Sequence, residues 1–82
     1  MIYAIQLRPR AMRDLEGLSP EVRKRILAKL NVLKLDLTGD VKRLVRHSPQ
    51  FRLRVGDWRV LFEVEAGIVT VYRVLHRSKA YD

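Results

Sequence analysis

Cysteine is absent from this 82-residue chain, and histidine occurs only as His47 and His76. Without a thiol the chain can form no disulfide and can supply no thiolate for nucleophilic catalysis or metal binding. Two histidines are also a poor set of metal ligands. We therefore expect no metal site and no cofactor, and the lack of cysteine is compatible with a reducing cytoplasm.

Long apolar runs and a secretion signal are missing as well. No apolar run approaches the roughly 18 to 20 residues that a membrane-spanning helix needs. The stretch from Met1 to Leu7 is too short for a signal peptide and runs directly into Arg8-Pro9-Arg10. With 48% hydrophobic residues the chain is nevertheless able to fold. These features predict one cytoplasmic domain, residues 1–82, with one modest core and no contact with a membrane.

Acidic residues are scarce relative to basic ones. The chain has 17 lysines and arginines against 9 acidic residues, a net charge of +8 and a pI of about 10.6. Nine of the basic residues lie between Lys42 and Lys79, where only three acidic residues occur. A domain of this charge attracts polyanions, so nucleic acid is the first candidate partner and an acidic protein the second.

Local patterns in the first half predict a strand followed by two helices. Ile2 to Leu7 alternates weakly and is short enough for a strand. A short helix should begin at Pro9 and stop near Gly17, with Ala11, Met12, Leu15 and Leu18 at helical spacing. Ser19-Pro20-Glu21 combines a capping hydroxyl, a proline suited to the first turn and an acid near the positive helix end. The second helix should therefore run from Pro20 to about Asp36.

The apolar stripe of this second helix is the natural cover for a sheet. Val22, Ile26, Leu30, Leu33 and Leu37 recur at three- and four-residue intervals, with Leu27 widening the stripe. Thr38-Gly39-Asp40 should break the helix. The following polar stretch, 41–50, is predicted as a loop with a short strand possible near Lys42 to Val45.

The stretch from Phe51 to Phe62 has the pattern of a β-hairpin. A two-residue turn at Gly56-Asp57 places Val55 opposite Trp58 and Arg54 opposite Arg59. Because side chains alternate along a strand, the apolar residues then share one face and Arg52, Arg54 and Arg59 share the other. Unpaired guanidiniums on one small face indicate an anionic partner, although a solvated face that discourages aggregation has the same pattern.

The last strand should run from Ile68 to His76, after a turn near Glu65-Ala66-Gly67. A regular two-residue turn would put Arg73 opposite Val60 in the core. A three-residue turn or a bulge would instead put Arg73 on the side of Arg59, which we favour because an unpaired buried guanidinium is costly. Strand, helical hairpin and three-stranded antiparallel meander make a two-layer α+β fold.

This order of elements, together with "RLRVGDWRVLFEV" and the ending "HRSKAY", resembles the RelE/ParE superfamily of toxins from toxin–antitoxin pairs. The resemblance covers essentially the whole chain. Its RelE branch implies a RelE-like fold and a metal-independent endoribonuclease that cleaves messenger RNA on the ribosome. A ribose 2′-OH attacks the adjacent phosphate and leaves a 2′,3′-cyclic phosphate and a 5′-OH. Such chemistry requires a base, an acid and positive charge for the phosphorane.

The resemblance assigns roles to individual residues. Arg59 would stabilise phosphate charge, and Arg52 and Arg54 occupy positions where RelE enzymes often carry lysines that bind substrate or assist proton removal. Arginine at both positions departs from that pattern, because a guanidinium that stays protonated binds phosphate well but accepts protons poorly. Arg73 joins this substrate-binding set.

A second group of candidate residues lies at the end of the chain. Arg77 matches the second family arginine and, like Arg59, is expected to lie outside the core. Tyr81 matches a terminal tyrosine that can stack on a base or approach the 2′-OH. A histidine side chain free in water has a pKa of about 6.5, so histidine suits proton transfer near neutral pH and His76 is the candidate for it. Each of the three also has a purely structural interpretation: a tail salt bridge for Arg77, a packed tail for Tyr81 and a strand-end position for His76.

Other candidate residues are weaker. Asp40 lies where some relatives place an acidic base, but a turn residue is the simpler interpretation. Glu63 could be an ion-pair partner that orients Arg59, His47 a solvated loop residue, and Trp58 a core residue.

The resemblance leaves two further functions open and implies a partner. A ParE-like protein with this fold would inhibit DNA gyrase without cutting RNA, and a catalytically silent member would bind only RNA or its antitoxin. The clustered arginines, histidine and terminal tyrosine favour the ribonuclease. The implied partner is a RelB-like antitoxin, commonly acidic, which the basic face would attract.

Overall fold

The computed structural model describes residues 2–37, 41–46 and 48–80. Within them, one strand precedes two helices and four strands follow. The elements in chain order are β1 (Ala4–Leu7), α1 (Pro9–Glu16), α2 (Pro20–Leu35), β2 (Val41–Arg43), β3 (Phe51–Val55), β4 (Trp58–Glu65) and β5 (Ile68–His76). The predicted turn at Thr38-Gly39-Asp40 lies outside the described residues.

The five strands form one mixed sheet in the order β1-β5-β4-β3-β2. β1 runs parallel to β5, and every other neighbouring pair is antiparallel. Side chains of both helices pack with one face of this sheet in a single hydrophobic core. The predicted α+β class with a three-stranded meander is confirmed, and β1 and β2 extend the sheet to five strands.

Both helices begin with the predicted signals. Pro9 and Pro20 occupy the first helical turns, and the Ser19 hydroxyl accepts the Val22 N–H at 3.4 Å. The Arg23 side chain donates to the Leu15 and Leu18 carbonyl oxygens at 3.0 and 2.9 Å, which satisfies acceptors at the end of α1.

Two apolar helix residues do not join the core as predicted. Leu27 is 41% exposed and Met12 is 51% exposed. Only Ile26, Leu30 and Leu33 of α2 are fully buried, because the stripe in contact with the sheet is narrower than the sequence periodicity indicates.

The register of the β3–β4 hairpin is confirmed. Val55 pairs with Trp58, Arg54 with Arg59, and the register continues to Phe51 and Phe62, whose rings stack 5.4 Å apart. Gly56 has a φ of +58°, a backbone conformation that favours glycine in the turn.

The β4–β5 hairpin combines a two-residue turn with a β-bulge. Glu65 pairs with Ile68, and the register shifts between Leu61 and Phe62. Phe62 therefore pairs with Val71, and Leu61 pairs with Arg73. The bulge confirms that Arg73 belongs to the Arg59 side of the sheet.

The turn that joins β4 to β5 contains a strained residue that substitution should relieve. Ala66 has a φ of +52° and is followed by Gly67 at +76°, the conformation in which Asn-Gly is preferred. We expect Ala66→Asn to stabilise the fold by about 0.5–1 kcal/mol, because asparagine tolerates the left-handed region better than alanine. Urea unfolding measures the change. Ala66→Val is the matched control and should destabilise, so equal signs for the two variants would contradict the explanation.

Candidate active site

The face of the sheet opposite the helices carries the predicted arginines. Arg52 pairs with Leu61 across the β3–β4 ladder, and Arg54 pairs with Arg59, so the three guanidinium-bearing residues lie on neighbouring positions of two strands. We call Arg52, Arg54 and Arg59 the arginine face. Arg54 is exposed, Arg52 is half-buried and Arg59 is only 6% exposed.

Arg59 is more deeply enclosed than the sequence predicts. It lies outside the hydrophobic core, as expected, but it is the buried charged residue among the described positions. Its Nη1 donates to the Gly56 and Trp58 carbonyl oxygens at 2.9 and 3.0 Å, so the hairpin turn fixes the guanidinium. This fixed group needs no reorganisation to meet an anion.

Two guanidinium N–H groups on the arginine face lack an acceptor. The Nε atoms of Arg52 and Arg59 are both buried, and neither has a hydrogen-bond partner in the described part of the chain. A buried donor without an acceptor costs about 1–3 kcal/mol. The two residues are diagonal neighbours in the ladder, so the two unsatisfied donors lie close together.

Basic side chains continue across the sheet at right angles to the strands. Lys42 pairs with Arg52, Arg52 with Leu61, and Leu61 with Arg73. With neighbouring strands about 4.8 Å apart, this row spans roughly 14 Å from β2 to β5.

Arg73 is held by an ion pair with α1. Its Nε and Nη2 donate to the two Asp14 carboxylate oxygens at 2.8 and 3.3 Å, and the Val74 N–H donates to the same carboxylate at 2.9 Å. Burial alone would raise the pKa of Asp14, but these hydrogen bonds and the nearby positive charges outweigh it and lower the pKa. The hydrogen bond to Asp14 raises the pKa of Arg73.

His76 does not share the face of Arg59. It pairs with Trp58, and the two rings meet edge to face at 5.3 Å. The Ser78 N–H donates to His76 Nδ1 at 3.2 Å, and the Ser78 hydroxyl lies 2.9 Å from the same atom. Because the amide can only donate, Nδ1 accepts and the neutral ring carries its proton on Nε2.

Arg77 lies beside the same hairpin turn that fixes Arg59. Its N–H donates to the Asp57 carbonyl oxygen at 2.8 Å, while its Nη1 is 3.9 Å from the Asp57 carboxylate. Both of these side chains are more than 60% exposed, so the ion pair is weak and the guanidinium is accessible. The turn at 56–57 therefore brings Arg59 and Arg77 to one end of the sheet.

The weaker candidate residues either have a structural role or lie outside the described part of the chain. In the described part of the chain, the Glu63 carboxylate accepts a hydrogen bond from the Ser48 hydroxyl at 3.1 Å rather than from Arg59. Trp58 packs against the core, as predicted. Tyr81, Asp40 and His47 lie outside the described residues.

Sequence reasoning missed the basic residues of α1. Arg8, Arg10 and Arg13 line a cleft together with Pro9, Pro49, Tyr72 and Arg73. The signal was present in Arg8-Pro9-Arg10 and in the three-residue spacing of Arg10 and Arg13, which puts both on one side of a helix. We call this group of seven residues the α1 cleft.

Residues 2–37, 41–46 and 48–80 contain no group of three or more histidine, aspartate or glutamate side chains that could hold a metal ion. None of their helices is long and apolar enough to cross a membrane.

Comparison with known proteins identifies the family. Residues 5–81 match the family described as "ParE toxin of type II toxin-antitoxin system, parDE". The chain is 34% identical over 80 residues to Toxin RelE3 of Methanocaldococcus jannaschii, with 87% of this chain and 86% of that protein covered.

Solved structures agree with the sequence match. The RelBE2 toxin–antitoxin complex of Mycobacterium tuberculosis gives a TM-score of 0.80 at 26% identity and covers 94% of this chain and 100% of that one. The RelB–RelE antitoxin–toxin complex of Methanococcus jannaschii gives a TM-score of 0.75 at 27% identity, with 89% and 91% covered. The chain belongs to the RelE/ParE toxin family of type II toxin–antitoxin systems.

Proposed function

We propose that this toxin is an endoribonuclease that cuts messenger RNA on the ribosome. The observation that carries the proposal is the arginine face, where exposed Arg54 pairs across the ladder with Arg59, whose guanidinium the turn holds in place, and half-buried Arg52 lies two residues from Arg54 on β3. A phosphate of the RNA backbone supplies oxygen acceptors of the right charge for these guanidiniums. Similarity to a RelE toxin and the net charge of +8 support the same substrate.

The reaction breaks the phosphorus–O5′ bond and needs no water. The ribose 2′-OH loses its proton and attacks the adjacent phosphorus, forming the 2′,3′-cyclic phosphate. The O5′ atom leaves and takes up a proton to become the 5′-OH. Arg59, held by the turn, stabilises the negative charge of the phosphorane, and Arg52, Arg54 and Arg73 bind the flanking backbone.

In this scheme the proton-transfer groups lie at the end of the sheet next to the turn at 56–57. His76 lies there beside Arg77, and its neutral ring has a donor at Nε2. His76 and Arg59 are on opposite faces of the sheet. The RNA must therefore pass around the end of the hairpin, beyond Gly56-Asp57, so that both side chains contact the scissile phosphate. We assign His76 and Tyr81 to proton transfer and Arg77 to the same phosphate.

A RelB-like antitoxin is the proposed protein partner. Two of the similar solved structures are complexes of RelB or RelBE type. An acidic segment laid on the arginine face would supply the same acceptors as RNA and would block the site.

Inhibition of DNA gyrase is a second candidate function. The matching family is described by its ParE member, and the burial of Arg59 together with the position of His76 on the other face favours a surface that binds without cutting. In that case the arginines would contact a protein or DNA, and no new RNA ends would appear.

The deciding experiment adds the purified toxin to ribosomes that carry a defined message. Primer extension maps any cut, and chemical probing of the new ends identifies the cyclic phosphate. Discrete cuts in the ribosomal A site with cyclic phosphate ends support the proposal. If the messages stay intact while growth arrest shows that the protein is active, the toxin acts on gyrase or another target instead.

Arg77→Ala separates a functional arginine from a structural one. Its ion pair is long and exposed, so we expect the thermal midpoint to stay unchanged. Loss of a charged hydrogen bond to phosphate should lower the cleavage rate by about tenfold or more and weaken growth arrest. Full toxicity in this variant would remove Arg77 from the site.

A further inference from the structure

The α1 cleft gathers four arginines outside the arginine face. It encloses about 460 Å³ between α1, the loop at Pro49 and the middle of β5. The cleft exists because β1 ends at Leu7. Beyond that point the Arg8 N–H still bonds to the Val71 carbonyl oxygen at 2.9 Å, and α1 then follows the edge of β5.

Three of its four arginines form no ion pair within the described residues, although Asp14 also attracts Arg10. Arg8, Arg10 and Arg13 are exposed, and no carboxylate in the described residues forms an ion pair with any of them. The neighbouring carboxylate, Asp14, is already bound by Arg73. Three like charges close together repel unless an anion lies between them, so the cleft favours a ligand with several negative charges.

The cleft is continuous with the arginine face. Arg73 lines the cleft and also ends the row that begins at Lys42 and passes Arg52 and Leu61. A chain with regularly spaced negative charges that crosses the sheet along this row arrives at α1. Single-stranded RNA has such a backbone.

Two features favour RNA over an acidic peptide. The edge of β5 beside the cleft cannot take an added strand, because the Val74 N–H is already bonded to Asp14. The cleft also sets flat apolar surfaces among the guanidiniums. Tyr72 lies under Arg8 at 5.8 Å, with Pro9 and Pro49 nearby, and single-stranded nucleic acid binds where basic groups and rings alternate.

We propose that the α1 cleft binds the backbone of single-stranded RNA on one side of the cleaved bond, as an extension of the arginine face. This inference rests on the proposed ribonuclease function. It adds the path that the RNA takes over the protein, which crosses the strands rather than running along them. Arg10 and Arg13 each contact a phosphate.

The test compares two double variants that remove the same charge. Arg10→Ala/Arg13→Ala alters the cleft, and Lys24→Ala/Lys29→Ala removes two exposed lysines from α2. Each protein is titrated with a fluorescein-labelled, 2′-O-methylated 12-nucleotide RNA that cannot be cleaved, over a series of salt concentrations. Each phosphate contact on single-stranded nucleic acid contributes about 0.7 to the slope of log K against log salt. The cleft variant should lose about 1.4 from the slope, and the α2 variant should match the unaltered toxin.

The outcomes separate this inference from the proposed function. Equal slopes for the two double variants, with the unaltered toxin still cutting RNA, would overturn the cleft but not the ribonuclease. A cleft variant that keeps its RNA slope but loses affinity for a polyglutamate peptide would assign the cleft to an acidic protein instead. An unaltered toxin that neither binds nor cuts RNA would overturn both.

Discussion

Cleavage of RNA is expected to fall at least about 100-fold when Arg59 is replaced by methionine, with the fold retained. Methionine keeps an apolar stem of similar length but removes every guanidinium donor. The loss is large because Arg59 is enclosed and is fixed by the carbonyl oxygens of Gly56 and Trp58, so its positive charge acts on the phosphorane without water between them. Single-turnover cleavage of a defined message measures the effect.

We expect the Arg59→Met variant to keep the fold for a reason that is separate from catalysis. The variant loses the two Nη1 hydrogen bonds but also removes the Nε donor that has no acceptor, and these changes partly offset each other. Arg43→Met loses the same charge from an exposed site on β2 and should cut RNA normally. If Arg59→Met melts near the unaltered toxin and still cuts at its rate, Arg59 is not the phosphate-stabilising residue.

The hairpin at 51–62 could be predicted because its turn and its alternation specify the same register. Two turn residues and a period of two place Arg54 opposite Arg59 with no information from the rest of the chain. The sequence could not predict how deeply Arg59 is enclosed. Alternation determines which face a side chain is on, whereas burial depends on what covers that face. The Arg59 guanidinium folds back onto the carbonyl oxygens of Gly56 and Trp58, and alternation does not specify that contact.

The position of His76 was within reach of the sequence. A bulge that returns Arg73 to the side of Arg59 also sends His76, three residues later, to the other side. His76 is predicted from the sequence because histidine suits proton transfer and stands next to Arg77, and that reasoning does not consider the face on which His76 lies. The α1 arginines were missed for a different reason, since their approach to β5 depends on where β1 ends.

Replacing Asp14 with alanine is expected to destabilise the fold by about 1.5–3 kcal/mol. The Asp14 carboxylate accepts from Arg73 Nε and from the Val74 N–H, and both donors lose their acceptor in the variant. Asp14→Asn keeps one oxygen acceptor and should cost less. Glu16→Ala removes an exposed carboxylate from the same helix and should have little effect on urea unfolding. A destabilisation in Glu16→Ala equal to that in Asp14→Ala would mean that charge on α1, rather than this contact, determines the stability.

The contribution of Asp14 should also disappear in acid. Its pKa in the folded protein lies below the ordinary value of 3.8, so the unfolded chain takes up a proton at higher pH than the folded one. The stabilisation is therefore complete above the ordinary pKa and is lost as the pH falls through the lowered one, while Arg73, whose pKa is raised, stays charged throughout. Unfolding free energies of the unaltered toxin and Asp14→Ala should differ by a constant amount from pH 7 to about pH 5 and should converge below about pH 4. A difference that stays constant down to pH 2 would show that the pKa of Asp14 is the same in the folded and unfolded chain. The stabilisation would then come from contacts that a protonated carboxyl also makes, and not from the ion pair that holds the edge of β5 to α1.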